Sequence, residues 1–81
     1  MNILELVNLC DISTGEEVRV VRLDTRGSIR RRFLDLGLVE NTVVKCVGHS
    51  PLGDPSAYLI RGAVSAIRDD DSIHVKCMYL G

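Results

Sequence analysis

The sequence predicts a mainly β protein, a small and partly open β-barrel of about five short strands with one α-helix inserted after the first main strand. The length of 81 residues allows only one small core, so we expect residues 1–81 to form a single domain. Short segments rich in β-branched residues alternate with turn residues, which indicates strands. Only one segment repeats apolar residues at helical spacing.

The first main strand is predicted at Glu17–Leu23, where β-branched residues partly alternate with charged ones. The segment before it, Ile3–Leu9, is too short to assign. Residues 11–16 have the composition of a turn.

The helix is predicted directly after this strand. Its apolar residues fall at positions i, i+4 and i+7 and so share one face. They are Ile29, Phe33 and Leu36. Thr25 or Ser28 is suited to cap the start of the helix, because a side-chain oxygen accepts from free backbone amides. Gly37 can adopt the left-handed conformation that ends a helix, with Leu38 folding back as an apolar clasp.

Three further strands are predicted around a dense turn signal at Ser50–Pro55. They are Thr42–Val47, Ala57–Arg61 and Ala63–Arg68. Asn41 tolerates the positive φ of a tight turn, and Gly62 marks a bend between the last two of these strands.

The final strand is predicted at Ile73–Cys77, after the acidic run Asp69–Asp71. We interpret this run as a solvated turn or a helix start rather than a site for a hard cation. Strict alternation divides the strand between two faces. The inward residues are Ile73, Val75 and Cys77, and the outward residues are His74 and Lys76.

Composition narrows the class of protein. A net charge of -1 and an aromatic share of 4% argue against general polyanion binding, base stacking and peptide capture in an aromatic groove. No apolar run approaches the roughly 20 residues of a membrane span, and the N-terminus lacks the pattern of a secretory signal. Three cysteines suit reduced thiols. We therefore expect a cytosolic protein that does not insert into a membrane.

No motif for catalysis is found, and we expect a non-enzyme without a cofactor. Gly48 and Gly53 have the spacing of a phosphate loop, but Asp54 and Pro55 stand where that loop needs Lys and Ser or Thr. His49 beside Ser50 is sequence adjacency, which does not by itself make a nucleophile and base.

Metal binding receives weak support. Structural zinc sites use close ligand pairs, and no such cysteine pair exists here. Cys46 and Cys77 alternate with apolar strand residues, so we interpret them as core residues. His49 and His74 are expected to be exposed and are the weak candidates for transition-metal contact. No metal site is assigned.

An ordered set of motifs is more specific than any of these features. A basic helix ends in Leu36-Gly37-Leu38, the loop reads Pro51-Leu52-Gly53-Asp54-Pro55, and Tyr58–Gly62 and Ala66–Arg68 follow. From about Leu4 to Val75 the chain resembles the FeoA family, the small cytosolic partner in bacterial ferrous iron uptake. It departs from the family in having Asn41 for a frequent glycine and in lacking the usual basic and bulky residues at 63–67.

The resemblance implies an SH3-like β-barrel and a non-enzymatic role. The implied protein is a small accessory or regulatory one that binds FeoB, the membrane ferrous iron transporter with a cytosolic GTPase domain. That partner would place it at the inner face of the membrane. Exposed barrel edges also favour weak self-association.

Two groups of residues are candidates for the contact with FeoB. The first is the loop, and the second is the basic flank of the helix. The residues are Leu52, Gly53, Asp54 and Pro55 in the loop, with Arg26, Arg30 and Arg31 on the flank. Leu52 either docks on the partner or folds inward to cap the barrel. Arg32 and Asp35 are expected to be structural.

Two alternative functions stay open on the residues alone. One is a nucleic-acid-binding β-barrel that uses the arginine cluster. The other is a ferrous metallochaperone that uses His49, His74 or a cysteine.

Overall fold

The computed structural model describes residues 5–80 and shows a six-stranded antiparallel sheet in the order β1-β6-β2-β3-β4-β5. The strands are β1 (Val7–Asn8), β2 (Glu17–Leu23), β3 (Val43–His49), β4 (Ser56–Ile60), β5 (Ala63–Ile67) and β6 (Val75–Tyr79). The helices are α1 (Gly27–Leu36) and α2 (Asp69–Ser72), and a 3-10 turn covers Leu9–Asp11. The predicted fold class is confirmed, with a short extra strand and a short extra helix.

The core forms where the inward residues of the strands meet the apolar face of α1. Each of these side chains is at most 1% exposed. They are Leu9, Ile12, Val18, Val20, Phe33, Leu38, Val44, Cys46, Tyr58, Ile60, Ile67, Val75 and Cys77. Cys46 and Cys77 are core residues, as predicted. Burial raises the pKa of the Cys77 thiol to about 12.

Helix α1 ends as the sequence predicts. Gly37 has a φ of 98°, and its amide donates to Leu34 O at 3.0 Å. The amide of Leu38 donates to Phe33 O at 2.9 Å, which is the backbone pattern of a left-handed helix end. Leu38 is buried against the core, and Phe33 is fully buried while Ile29 and Leu36 pack beside it.

The predicted start of α1 is wrong. The helix begins at Gly27, so Arg26 occupies the N-cap position and no side chain caps the first turn. Ser28 lies inside the helix, and the Thr25 hydroxyl is buried without a hydrogen-bond partner among the described residues. Gly27 has a φ of 64°. The chain thus enters the helix through a backbone conformation that favours glycine, and not through a capping hydroxyl.

The predicted start of the last strand is also wrong. The acidic run forms α2, and the Ile73 amide donates to Asp69 O at 3.0 Å to close that helix. Because Ile73 belongs to the end of α2, it is 42% exposed and does not point inward. The strand begins two residues later, at Val75.

The predicted tight turns are confirmed. Asn41 has a φ of 76°, and the β4–β5 hairpin turns through Arg61 and Gly62 at φ values of 51° and 84°. Both central residues of this hairpin have positive φ, which matches the right-handed twist of the flanking strands.

Candidate functional site

The β3–β4 loop holds Leu52 in solvent. The Gly53 amide donates to Ser50 O at 2.8 Å, and the Ser50 amide donates to Pro55 O at 3.1 Å. These two hydrogen bonds close the loop on itself, and Leu52 at its tip is 94% exposed. Leu52 therefore does not cap the barrel. At this exposure the side chain is available for contact with another molecule.

Asp54 fixes this loop to α2. The backbone amide of Asp69 donates to Asp54 Oδ1 at 3.0 Å, which satisfies one of the free amides at the start of α2. Asp54 thus has a structural task besides any contact with a partner. Nothing in the local sequence indicates this contact, because the two residues lie fifteen positions apart.

Arg26 lies on the other side of α2. It lines an open cleft of about 280 Å³ together with the acidic side chains Asp24, Asp70 and Asp71 and with His74. Helix α2 thus contacts the loop through Asp69 and borders the cleft through the next two aspartates. We call the surface made by the loop 50–55, α2 and Arg26 the loop end of the barrel.

The remaining arginines of the basic flank do not join this surface. Arg30 donates to Leu23 O at 3.2 Å and lines a different groove, beside Arg22 and Glu40. Arg31 is exposed on α1. Arg32 donates to Ala66 O at 3.3 Å on β5, as its predicted structural role requires. The basic cluster is therefore divided among several parts of the surface.

The two histidines lie in different surroundings. His74 is exposed in the cleft beside α2. His49 ends β3, with its Nδ1 at 2.6 Å from Ser56 Oγ and its Nε2 at 3.8 Å from Cys46 Sγ. Between residues 5 and 80, no group of three or more His, Cys, Asp or Glu side chains lies close enough to hold a metal ion.

A buried polar group closes the other side of the core. The Tyr58 hydroxyl donates to Leu9 O at 3.3 Å, and burial raises the pKa of this phenol to about 12.

No helix in the described range is long and apolar enough to cross a bilayer.

The antiparallel barrel, the helix inserted after β2 and the protruding β3–β4 loop define a small domain of the SH3-like class. The sequence matches the family model of the FeoA domain over residues 7–77. The chain belongs to the FeoA family, as its motifs indicated.

One relative combines this domain with a transporter in a single chain. The Fe(2+) transport protein A/Fe(2+) transporter FeoB fusion protein of Porphyromonas gingivalis is 30% identical over 70 residues. The match covers 86% of this chain and 8% of that relative, so our chain corresponds to a small part of the fusion protein.

Solved structures share the fold. The FeoA protein of Chlorobium tepidum has a TM-score of 0.87 and 27% identity over 93% of this chain and 71% of that chain. The FeoA of Stenotrophomonas maltophilia, solved with zinc and described as a prokaryotic SH3 domain protein, has a TM-score of 0.78 and 21% identity. That comparison covers 88% of each chain and shows the fold alone.

Proposed function

We propose that this protein is a non-enzymatic accessory protein of ferrous iron transport that acts by binding the cytosolic GTPase region of FeoB. The observation that carries the proposal is the fusion of a related domain to FeoB in one chain. A covalent tether gives two domains an effective concentration in the millimolar range when the linker is short and flexible. The fusion therefore supports a working contact between the two domains. Binding to FeoB would hold it at the inner face of the membrane.

The loop end supplies the features that such a surface needs. Leu52 is a large apolar side chain that is 94% exposed and held by a closed loop, so ordering it on binding costs little entropy. Asp54 in the same loop and the aspartates of α2, to which it is hydrogen-bonded, supply polar groups beside it, and Arg26 lines the cleft on the other side of α2. Such an apolar anchor within a polar rim is the usual anatomy of a protein–protein interface.

The binding contribution of Leu52 sets the size of the expected effect. Full burial of a leucine contributes about 1.5–3 kcal/mol. Because about 1.4 kcal/mol is a tenfold change in Kd, its loss weakens binding roughly 10–100-fold. We expect Leu52→Asp to show at least this loss, since it also places a charge in the interface.

The test measures the Kd of the full chain for cognate FeoB, both as the full-length transporter in nanodiscs and as its cytosolic region, together with the GTPase rate. The matched control is Val64→Asp, which places the same charge at an apolar position that is 63% exposed on β5. We expect Leu52→Asp to weaken binding while Val64→Asp leaves it unchanged. Absence of binding by the natural chain to both forms of FeoB would refute the function. Equal effects of the two variants would refute the assignment of the surface.

A further inference from the structure

A β-bulge places His49 on the same face of β3 as Cys46. Cys46 and His49 are three positions apart on β3, and in a regular strand such residues point to opposite faces. The pairing with β4 shifts register between Cys46 and Gly48, so Cys46 lies opposite Tyr58 while His49 lies opposite Ser56. Tyr58 and Ser56 are both buried. The bulge therefore puts the thiol and the imidazole on the same face.

The contacts of the imidazole define which nitrogen faces the sulfur. Nδ1 of His49 lies 2.6 Å from Ser56 Oγ, and Nε2 lies 3.8 Å from Cys46 Sγ. When Nδ1 carries the proton and donates to Ser56, the Nε2 lone pair faces the thiol. A metal-binding histidine almost always donates its second ring N–H to an acceptor, commonly a carboxylate, a backbone carbonyl or water, which fixes the tautomer and the ring orientation. Here the Ser56 hydroxyl takes the place of that acceptor.

We propose that Cys46 and His49 form a binding site for a thiophilic transition-metal ion, with Ser56 as a positioning residue for the imidazole. With bonds of about 2.3 Å to sulfur and 2.0–2.1 Å to nitrogen, a tetrahedral ion holds these two atoms about 3.6 Å apart. The two atoms here are 3.8 Å apart, so they need to close by only about 0.2 Å around such an ion. On binding, the thiol releases its proton to solvent and the ion compensates the charge of the thiolate.

The chemistry of the donors defines the class of ion. A thiolate paired with an imidazole suits Zn²⁺, Fe²⁺ or Cu⁺, and it does not suit the oxygen-seeking ions Mg²⁺ and Ca²⁺. Two protein ligands leave further coordination positions to water or to a donor from another molecule. A site of this kind exchanges its ion, whereas structural zinc sites take four protein ligands.

The burial of the two residues sets the route to the site. Cys46 is fully buried, and His49 is exposed at the end of β3, directly before the loop 50–55. An ion reaches the sulfur from the imidazole side, at the loop end of the barrel. Because Cys46 is fully buried, a bulky thiol reagent does not reach its sulfur. Both ligands belong to this chain, so metal binding is tested without FeoB and its outcome is independent of the proposed function.

The test is an anaerobic titration of the reduced full chain with Co²⁺, whose bond to a thiolate gives a sulfur-to-metal charge-transfer absorption. We expect this absorption to saturate at one ion per chain and to disappear on addition of Zn²⁺. Cys46→Ser and His49→Gln should each abolish it. Cys10→Ser and His74→Gln are the matched controls, because they change the same residue types outside the site, and both should retain it.

The positioning role of Ser56 has its own readout. Ser56→Ala leaves both ligands in place but frees the imidazole, and loss of such an outer partner typically weakens metal affinity 10–100-fold. Amide NMR spectra of each variant verify the fold, and His49→Gln keeps the test decisive if Cys46→Ser unfolds, since His49 is exposed. The proposal is overturned if the natural chain gives no charge-transfer absorption at millimolar Co²⁺. It is equally overturned if the absorption survives in His49→Gln or is lost in Cys10→Ser.

Discussion

Replacement of Gly37 by alanine tests how α1 is fastened to the β4–β5 hairpin. Gly37 has a φ of 98°, and a Cβ placed there would overlap Arg61 Cδ and lie 3.0 Å from Arg61 Cγ. Gly15 offers a matched site, because its φ is 92° and no atom lies within 4 Å of a Cβ placed there. The two substitutions share the backbone penalty but differ in the contact with Arg61.

The magnitudes follow from these two contributions. A left-handed backbone costs an alanine roughly 1–2 kcal/mol. Alanine also lowers the conformational entropy of the unfolded chain, which stabilises the folded state by about 0.4–1 kcal/mol. The net cost of Gly15→Ala is therefore about 1 kcal/mol. At Gly37 the arginine side chain must also leave its rotamer, which adds about 0.5–1.5 kcal/mol. We therefore expect Gly37→Ala to be about 1 kcal/mol more destabilising than Gly15→Ala, a difference in Tm of roughly 4–8 °C.

The assay is urea unfolding monitored by far-UV circular dichroism, since the chain has no tryptophan. Combining Gly37→Ala with Arg61→Ala should recover about 1 kcal/mol relative to the sum of the single changes, because truncation removes the overlapping atoms. Combining Gly15→Ala with Arg61→Ala should be additive. Equal losses at Gly37 and Gly15, together with additivity in both pairs, would refute the reasoning.

Two further predictions concern the core. Phe33→Ala removes the fully buried anchor of α1 and should lower the free energy of unfolding by about 3–5 kcal/mol in the same urea assay. The loss should exceed that of Ile29→Ala, and a loss below about 1.5 kcal/mol would contradict the packing of Phe33. Stability should also fall as pH rises from about 9 to 12, because the pKa values of Cys77 and Tyr58 are raised to about 12 by burial, so the unfolded chain loses these protons first. Each group contributes up to about 1.4 kcal/mol per pH unit. In urea titrations at several pH values, Cys77→Ala should delay the decline until about pH 10, and an unchanged pH profile would argue against a protonated buried thiol.

The sequence predicts the elements whose cause is local. The helical spacing of Ile29 and Phe33 identifies α1, and Gly37 identifies its end, because both signals depend on residues within two turns of each other. Strand β2 has its predicted bounds for a similar reason. Exposure of Leu52 could not be derived in this way, since a loop leucine has the same local sequence whether it points outward or inward.

The contacts of the candidate sites that could not be predicted join residues whose proximity depends on strand pairing or on the packing of separate elements. Alternation assigns His49 and Cys46 to opposite faces, and only the pairing of β3 with β4 reveals the bulge that brings them together. The amide of Asp69 finds its partner in Asp54, far along the chain. The end of α2 then takes Ile73 out of the last strand. The two wrong boundaries have local causes instead, because Gly27 begins α1 in a left-handed conformation and the Ile73 amide closes α2 on Asp69 O.

The contact between Arg32 and β5 has a consequence for how the protein behaves in a crowded cell. Strand β5 lies at one end of the sheet order, where a second chain could add a strand and start a growing stack. Arg32 occupies the carbonyl of Ala66, one of the groups that an incoming strand would need. Helix α1 thus places a charged side chain along the exposed edge of β5. The same helix that completes the core also discourages polymerisation along that edge.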